Sequence, residues 1–143
     1  MNSVQKKLLQ RGFTLIELLV VIAIISILAV TVFVALDPAT RFADARNSRR
    51  WADVNNILTA VHECIVDNGG SVAACAPTSG THVLGTGDTD LSSSLSAYLK
   101  SMPQDPSTGT DADTGYSISV DSNNMVTITA DDAENSETVE VSR

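Results

Sequence analysis

The chain has 143 residues, 43 % of them hydrophobic but only 4 % aromatic, and a formal net charge of −8; that length predicts one soluble domain with a terminal appendage. Aromatic side chains are too sparse to suggest a base-stacking platform or a stacked electron-conducting path, and an acidic outer domain repels phosphate backbones, which argues against nucleic-acid binding by that face. The averages conceal a split: apolar residues crowd into 13–36, while the rest is rich in Ser, Thr, Asp, Asn and Gly and must build a small core from Val, Ile, Leu and Ala.

Lys6, Lys7 and Arg11 precede the apolar run, whose only charge is Glu17. As a helix, residues 13–36 rise roughly 36 Å, enough to cross a hydrocarbon core of about 30 Å. The preceding bases predict a cytoplasmic N-terminus with the bulk of the chain outside. A secretory signal peptide has a shorter apolar core, about 7–15 residues, closed by a small-x-small site that this run lacks. A plain membrane anchor explains length and orientation and leaves Glu17 unexplained. A carboxylate within such a segment costs roughly 2.5–3.5 kcal/mol on insertion scales, and the surrounding Phe, Thr, Leu, Ile and Val side chains are read as offering it no partner.

Lys6-Lys7-x-x-x-Arg11-Gly12, followed by Phe13-Thr14-Leu15-Ile16-Glu17 and the apolar residues behind it, resembles the class III leader of type IV pilins and type II secretion pseudopilins. The resemblance runs from Lys6 to about Leu28 nearly without departure. It implies that a prepilin peptidase cuts after Gly12 on the cytoplasmic side and methylates the amine of Phe13. It also implies a homopolymeric filament in which Glu17 faces the amine of a neighbouring subunit. Elementary chemistry agrees with each step. Gly12 is an unhindered, flexible residue for the peptidase, and cutting there creates an ammonium four positions before Glu17. In low dielectric the two charges attract strongly, each offsetting the other's burial cost.

Further along, Pro38 either kinks or locally melts a helix or restarts one, with Asp37 as N-cap and Pro38 in the first position. Both readings give a long helix with a joint at Pro38. Arg41, Arg46, Arg49 and Arg50 form the single basic region beyond the leader, read as a solvated or headgroup-facing helix surface. Residues 40–66 predict an amphipathic helix, with Trp51, Val54, Leu58, Val61 and Ile65 on its apolar stripe and Phe42 continuing it less regularly. Arg46, Arg49, Asp53 and Asn56 fall elsewhere on the wheel, and Gly69-Gly70 ends the helix.

Residues 69–87 read as a polar loop in which Val83-Leu84 form a short extended piece. Two cysteines in a chain with an export signal predict a disulfide, Cys64 to Cys75, clipping this loop to the helix end; the alternative is a metal site from His62, Cys64, Cys75 and His82, at spacings that match no tight zinc pattern. Leu91, Leu95, Tyr98 and Leu99 are spaced for a short helix capped by Asp90. Residues 116–120 and 125–129 alternate in period two around the turn at 121–124, predicting a hairpin, and 138–141 supplies a third strand.

No nucleophile, base or phosphate loop forms a recognisable catalytic set, so the chain is not read as an enzyme. Asp105, Asp111 and Asp113 offer hard oxygen ligands of the kind calcium prefers; the alternative is an ordinary Asp/Gly/Thr turn. Residues 98–106 also resemble the segment that precedes the calcium loop of major pseudopilins, and the usual aromatic and Gly-Asn-Pro-Tyr continuation is missing. The expected architecture is α+β and pilin-like: a cleaved leader 1–12, a transmembrane filament-core helix 13–38, an amphipathic helical half 39–68, and a C-terminal domain 69–143 with a three-stranded antiparallel sheet. The expected function is a structural subunit of a type IV pilus or pilus-like filament. The alternatives are a secretion pseudopilin acting as a piston subunit and a monomeric membrane-anchored binding domain. The expected partners are further copies of the chain, prepilin peptidase, an assembly machinery and the inner membrane, with the C-terminal domain outside the cytoplasm; no cofactor is required.

Overall fold

The computed structural model describes residues 12–143. Lys6, Lys7, Arg11 and the leader before Gly12 lie outside the described residues. The chain divides after Pro38 into two compact units.

The first unit is helix α1, Leu15–Leu36. Every residue in it is exposed, and it is apolar on all sides. A helix of this kind needs a non-aqueous surrounding, and α1 is long and apolar enough to cross a membrane. Its two hydroxyls are satisfied within the helix: Ser26 Oγ donates to the Ile22 carbonyl at 2.7 Å and Thr31 Oγ1 to the Leu28 carbonyl at 2.8 Å. Helix α1 stops at Asp37, which adopts a left-handed conformation (φ 37°, ψ 70°). The following proline bars Asp37 from the right-handed helical region, and aspartate tolerates the left-handed one better than most residues.

Helix α2, Pro38–Asp67, then begins with Pro38 as its first residue, where a missing N–H costs no intrahelical bond. Its inward stripe is Ala43, Asn47, Arg50, Val54, Ile57, Leu58, Val61 and Cys64. The second half of this stripe matches the expected apolar face. The first half does not: Phe42 is 67 % exposed, and Asn47 and Arg50 take the buried positions instead. The expected solvated arginine surface therefore holds for Arg41 and Arg49, while Arg50 is fully buried and Arg46 only about one-third exposed. The helix closes with Gly69 and Gly70, both at positive φ, as the Gly70 amide returns to the Ile65 carbonyl at 2.8 Å.

Beyond α2, a 3-10 turn at Val72–Ala74 leads to Cys75, which is disulfide-bonded to Cys64. The sheet has four antiparallel strands in sequence order: β1 (Gly80–Val83), β2 (Tyr116–Val120), β3 (Val126–Ala130) and β4 (Glu140–Ser142). The three predicted strands are β2, β3 and β4. The fourth, β1, pairs Gly80 with Val120 and Val83 with Ser117 at one edge of the sheet. Gly80 and Thr81 are exposed there, so nothing in their composition signals a strand. The β2–β3 turn is as expected: Asp121 Oδ1 accepts from the amides of Asn123 and Met125, both at 2.8 Å, and Asn124 sits at φ 63°.

The short helix expected over 91–99 is replaced by a series of turns. Leu95 and Leu99 do return amides to Leu91 and Leu95, at 2.9 and 2.8 Å, and Asp90 Oδ1 accepts from the Ser92 amide at 2.9 Å. The intervening Ser92-Ser93-Ser94 favours local bonding over helix, and Ser96 Oγ donates to the Ser93 carbonyl. Leu91 and Leu95 nevertheless reach the core, together with Val54, Ile57, Val61, Leu84, Tyr116, Ile118, Val126, Ile128 and Val139. The core joins α2 to one face of the sheet, as expected for the α+β class.

Candidate functional site

Two places concentrate polar side chains against the trend of their surroundings: the start of α1 and the polar stretch of α2.

At the first, Gly12 and Phe13 lie in irregular chain ahead of the helix, with Phe13 93 % exposed and open space around Gly12. The Gly12–Phe13 peptide is thus presented outside any regular structure, two residues before the helix. Thr14 is the N-cap, in extended conformation. Its hydroxyl accepts from the Glu17 amide at 3.2 Å, and Glu17 Oε2 accepts from the Thr14 amide and the Thr14 hydroxyl, both at 2.8 Å. This reciprocal arrangement is a capping box, satisfying amides that the first turn leaves without helical partners. The expectation that nothing inside the segment serves Glu17 is therefore corrected: Thr14 does. The signal is the Thr-x-x-Glu spacing itself, a local pattern visible in the sequence. Thr14 supplies hydrogen bonds and no charge; among the described residues no cation pairs with Glu17.

The second place centres on Arg50. Its guanidinium donates to both oxygens of Asp105, at 2.5 and 3.0 Å, to Ser107 Oγ at 2.9 Å, to Asn47 Oδ1 at 2.8 Å and to Glu134 Oε2 at 2.8 Å. The Arg50 and Asp105 side chains are both fully buried. Burial pushes the Asp105 carboxyl up, but the hydrogen bonds from Arg50, Ser107 and Thr108 outweigh it and hold the group well below the usual carboxylate range. Arg46 grips Glu134 with two bonds, at 2.5 and 2.6 Å. Hydrogen bonds from Arg46 and then Arg50 lower the Glu134 carboxyl to about 2. Asn47 Nδ2 donates to the Glu134 carbonyl and to Glu137, whose other oxygen accepts from Trp51 Nε1 at 2.8 Å.

The loops that meet this helix face are shaped to do so. Asn135 and Ser136 both take positive φ, making the tight bend between Glu134 and Glu137. Gly115 sits at φ 76°, and a Cβ there would lie 2.6 Å from the Asp105 Cβ. Any larger residue would displace the carboxylate from Arg50.

The three aspartates expected as calcium ligands are not brought together. Asp105 turns inward to Arg50, Asp111 accepts from Gln104 Nε2 at 2.6 Å, and Asp113 Oδ1 caps the Gly115 amide at 2.9 Å. No group of three or more His, Cys, Asp or Glu side chains among the described residues is arranged to hold a metal. Asp105 is instead paired with the Arg50 guanidinium. The alternative metal set fails for a different reason: Cys64 and Cys75 are joined to each other, leaving no thiolate for a metal. His82 Nε2 lies 3.1 Å from the Ser79 carbonyl, and His62 Nε2 is buried without a hydrogen-bond partner among the described residues.

The chain thus combines an exposed apolar helix, long enough to cross a membrane and opening on a Gly-Phe junction and a single carboxylate, with a separate α+β unit. The prokaryotic N-terminal methylation motif matches the chain over residues 7–33. The matched residues take in the end of a class III prepilin leader and most of α1, so the likeness to pilins rests on this N-terminal stretch. No solved structure matches it.

Proposed function

We propose that the chain is a structural subunit of a type IV pilus or pilus-like filament. The prepilin peptidase cuts it after Gly12 and methylates Phe13, and the mature subunit polymerises through α1. One observation carries this reading: the methylation motif lies over a helix whose whole surface is exposed and apolar, with Glu17 as its only charge. Such a helix is stable in lipid, and equally among copies of itself. In that setting Glu17 keeps its Thr14 hydrogen bonds and gains a countercharge from the methylated amine of a neighbour. The precursor waits in the inner membrane with residues 39–143 outside the cytoplasm, and the assembled filament is periplasmic or extracellular.

A secretion pseudopilin is the second reading, favoured by the segment Met102-Pro103-Gln104-Asp105-Pro106 and its likeness to major pseudopilins. Mass spectrometry of the mature N-terminus tests the shared part: methylated Phe13 is expected, and an intact leader in the native membrane would overturn it in favour of a monomeric anchored domain. Electron microscopy of sheared surface material then separates the readings. Long fibres support the pilus, and their absence with short periplasmic polymers supports the pseudopilus.

A further inference from the structure

The polar half of α2 has a geometry that neither membrane insertion nor polymerisation requires. Five oxygens converge on one buried positive charge: two from Asp105 and one each from Asn47, Ser107 and Glu134. These are hard oxygen donors of the sort that surround a structural calcium ion. They arrive from three separate stretches of chain: α2, the loop after Pro103 and the loop after Ala130. All are tied by a planar guanidinium, which presents five N–H donors and does not lose its charge in proteins. Further bonds brace the cage from outside: Arg46 holds the remaining oxygen of Glu134, and Trp51 and Asn47 hold Glu137.

We infer that Arg50 is a built-in structural cation that does the work of a bound metal ion, so that the fold of residues 39–143 is closed without calcium. Loops that a metal would clip are clipped here by a covalently attached charge. Supply of the ion then costs no binding equilibrium, and chelation has nothing to remove. The same geometry makes the position selective. The oxygens lie at hydrogen-bond distances from three spread nitrogens, so a point charge at the centre would leave some of them unmet. An ammonium on a lysine stem therefore cannot replace the guanidinium.

The test uses the full chain in detergent micelles and follows thermal unfolding by the fluorescence of Trp51, the only tryptophan, which bonds to Glu137 beside the cage. Wild type is expected to melt at one temperature in excess calcium, in no added metal and in chelator; a melting temperature that falls in chelator or rises with calcium would overturn the inference. Arg50→Ala is expected to melt at least about 15 °C lower, because a buried carboxylate loses its partner, and to recover part of the loss with ethylguanidinium but not with ethylammonium. Equal rescue by both cations, or no loss at all, would refute the role of the guanidinium geometry. Arg50→Lys is expected to melt between the two and guards against failure of the alanine variant to fold; an Arg50→Lys protein as stable as wild type would also refute it.

Discussion

Breaking the Cys64–Cys75 bridge is a perturbation whose size follows from chain statistics. The cysteines are 11 positions apart, and both are buried, so the bridge is sealed within the core where the end of α2 meets the loop. Closing a loop of this length removes denatured-state entropy worth about 3 kcal/mol at room temperature. For the roughly one hundred residues of the C-terminal unit, an unfolding entropy near 2.1 cal/mol/K per residue converts this to a drop of about 12–15 °C in melting temperature. The assay is a thermal melt of the Cys64→Ala/Cys75→Ala double variant against oxidised wild type, followed by circular dichroism. Alanine avoids leaving a buried hydroxyl or thiol without a partner. Other contacts restrain the same segment, including the Cys75 amide bond to the Val72 carbonyl at 2.9 Å and the Asn68 side-chain bond to the Cys64 carbonyl at 2.9 Å. If those already hold the loop, the drop shrinks. A change under about 3 °C would refute the entropic argument for this site.

Glu17→Ala should leave membrane insertion intact, since it removes a charge from an apolar segment, and should abolish or misregister filaments; membrane fractionation together with electron microscopy of sheared material checks both, and normal filaments would refute the role of Glu17. Acid should destabilise the C-terminal unit with a defined sign. Glu134, lowered to about 2, and Asp105, held well below its ordinary range, both have depressed folded-state values. Their contribution is therefore fully present above the unfolded carboxylate pKa of about 4 and is lost as pH falls from there towards about 2. Melting temperature against pH between 7 and 2 checks this, and a flat profile below pH 4 would contradict it. Tyr116→Phe removes the hydroxyl that donates to Asp53 at 2.9 Å from a fully buried ring. A loss of about 1–2 kcal/mol is expected in a denaturant titration, because among the described residues Asp53 then keeps the longer ion pair to Arg49 at 3.7 Å.

What could be read from the chain beforehand divides by range of interaction. Helix α1, the extent of α2 and the β2–β3 hairpin follow from local periodicity, the Gly69-Gly70 stop and the Asp121-Asn124 turn chemistry, all contained within a few residues. The buried half of α2 does not. Arg50 reads as a surface charge because its partners lie 55 and 84 positions away, at Asp105 and Glu134, and no helical wheel contains them. Phe42 lies off the inward line of Ala43, Asn47, Arg50 and Val54 and stays exposed. Of strand β1 only the end shows in the sequence, at the expected extended piece Val83-Leu84; its start at Gly80-Thr81 is placed by pairing with β2, not by its own composition. The capping box of Thr14 and Glu17 was legible throughout; its four-residue signature is obscured only by the charge it places in an apolar run.

The all-round apolar surface of α1 has one more consequence, for the direction in which subunits travel. Lipid tails are as apolar as leucine, so a helix passing from bilayer to filament core gains almost nothing from water exclusion. In the filament reading, the membrane is a reservoir nearly isoenergetic with the polymer for this segment, and the balance is set by the few groups that distinguish the two settings. In that reading a subunit released at the base would dissolve back into the bilayer instead of aggregating, and growth and withdrawal of the filament would be two directions of one shallow equilibrium.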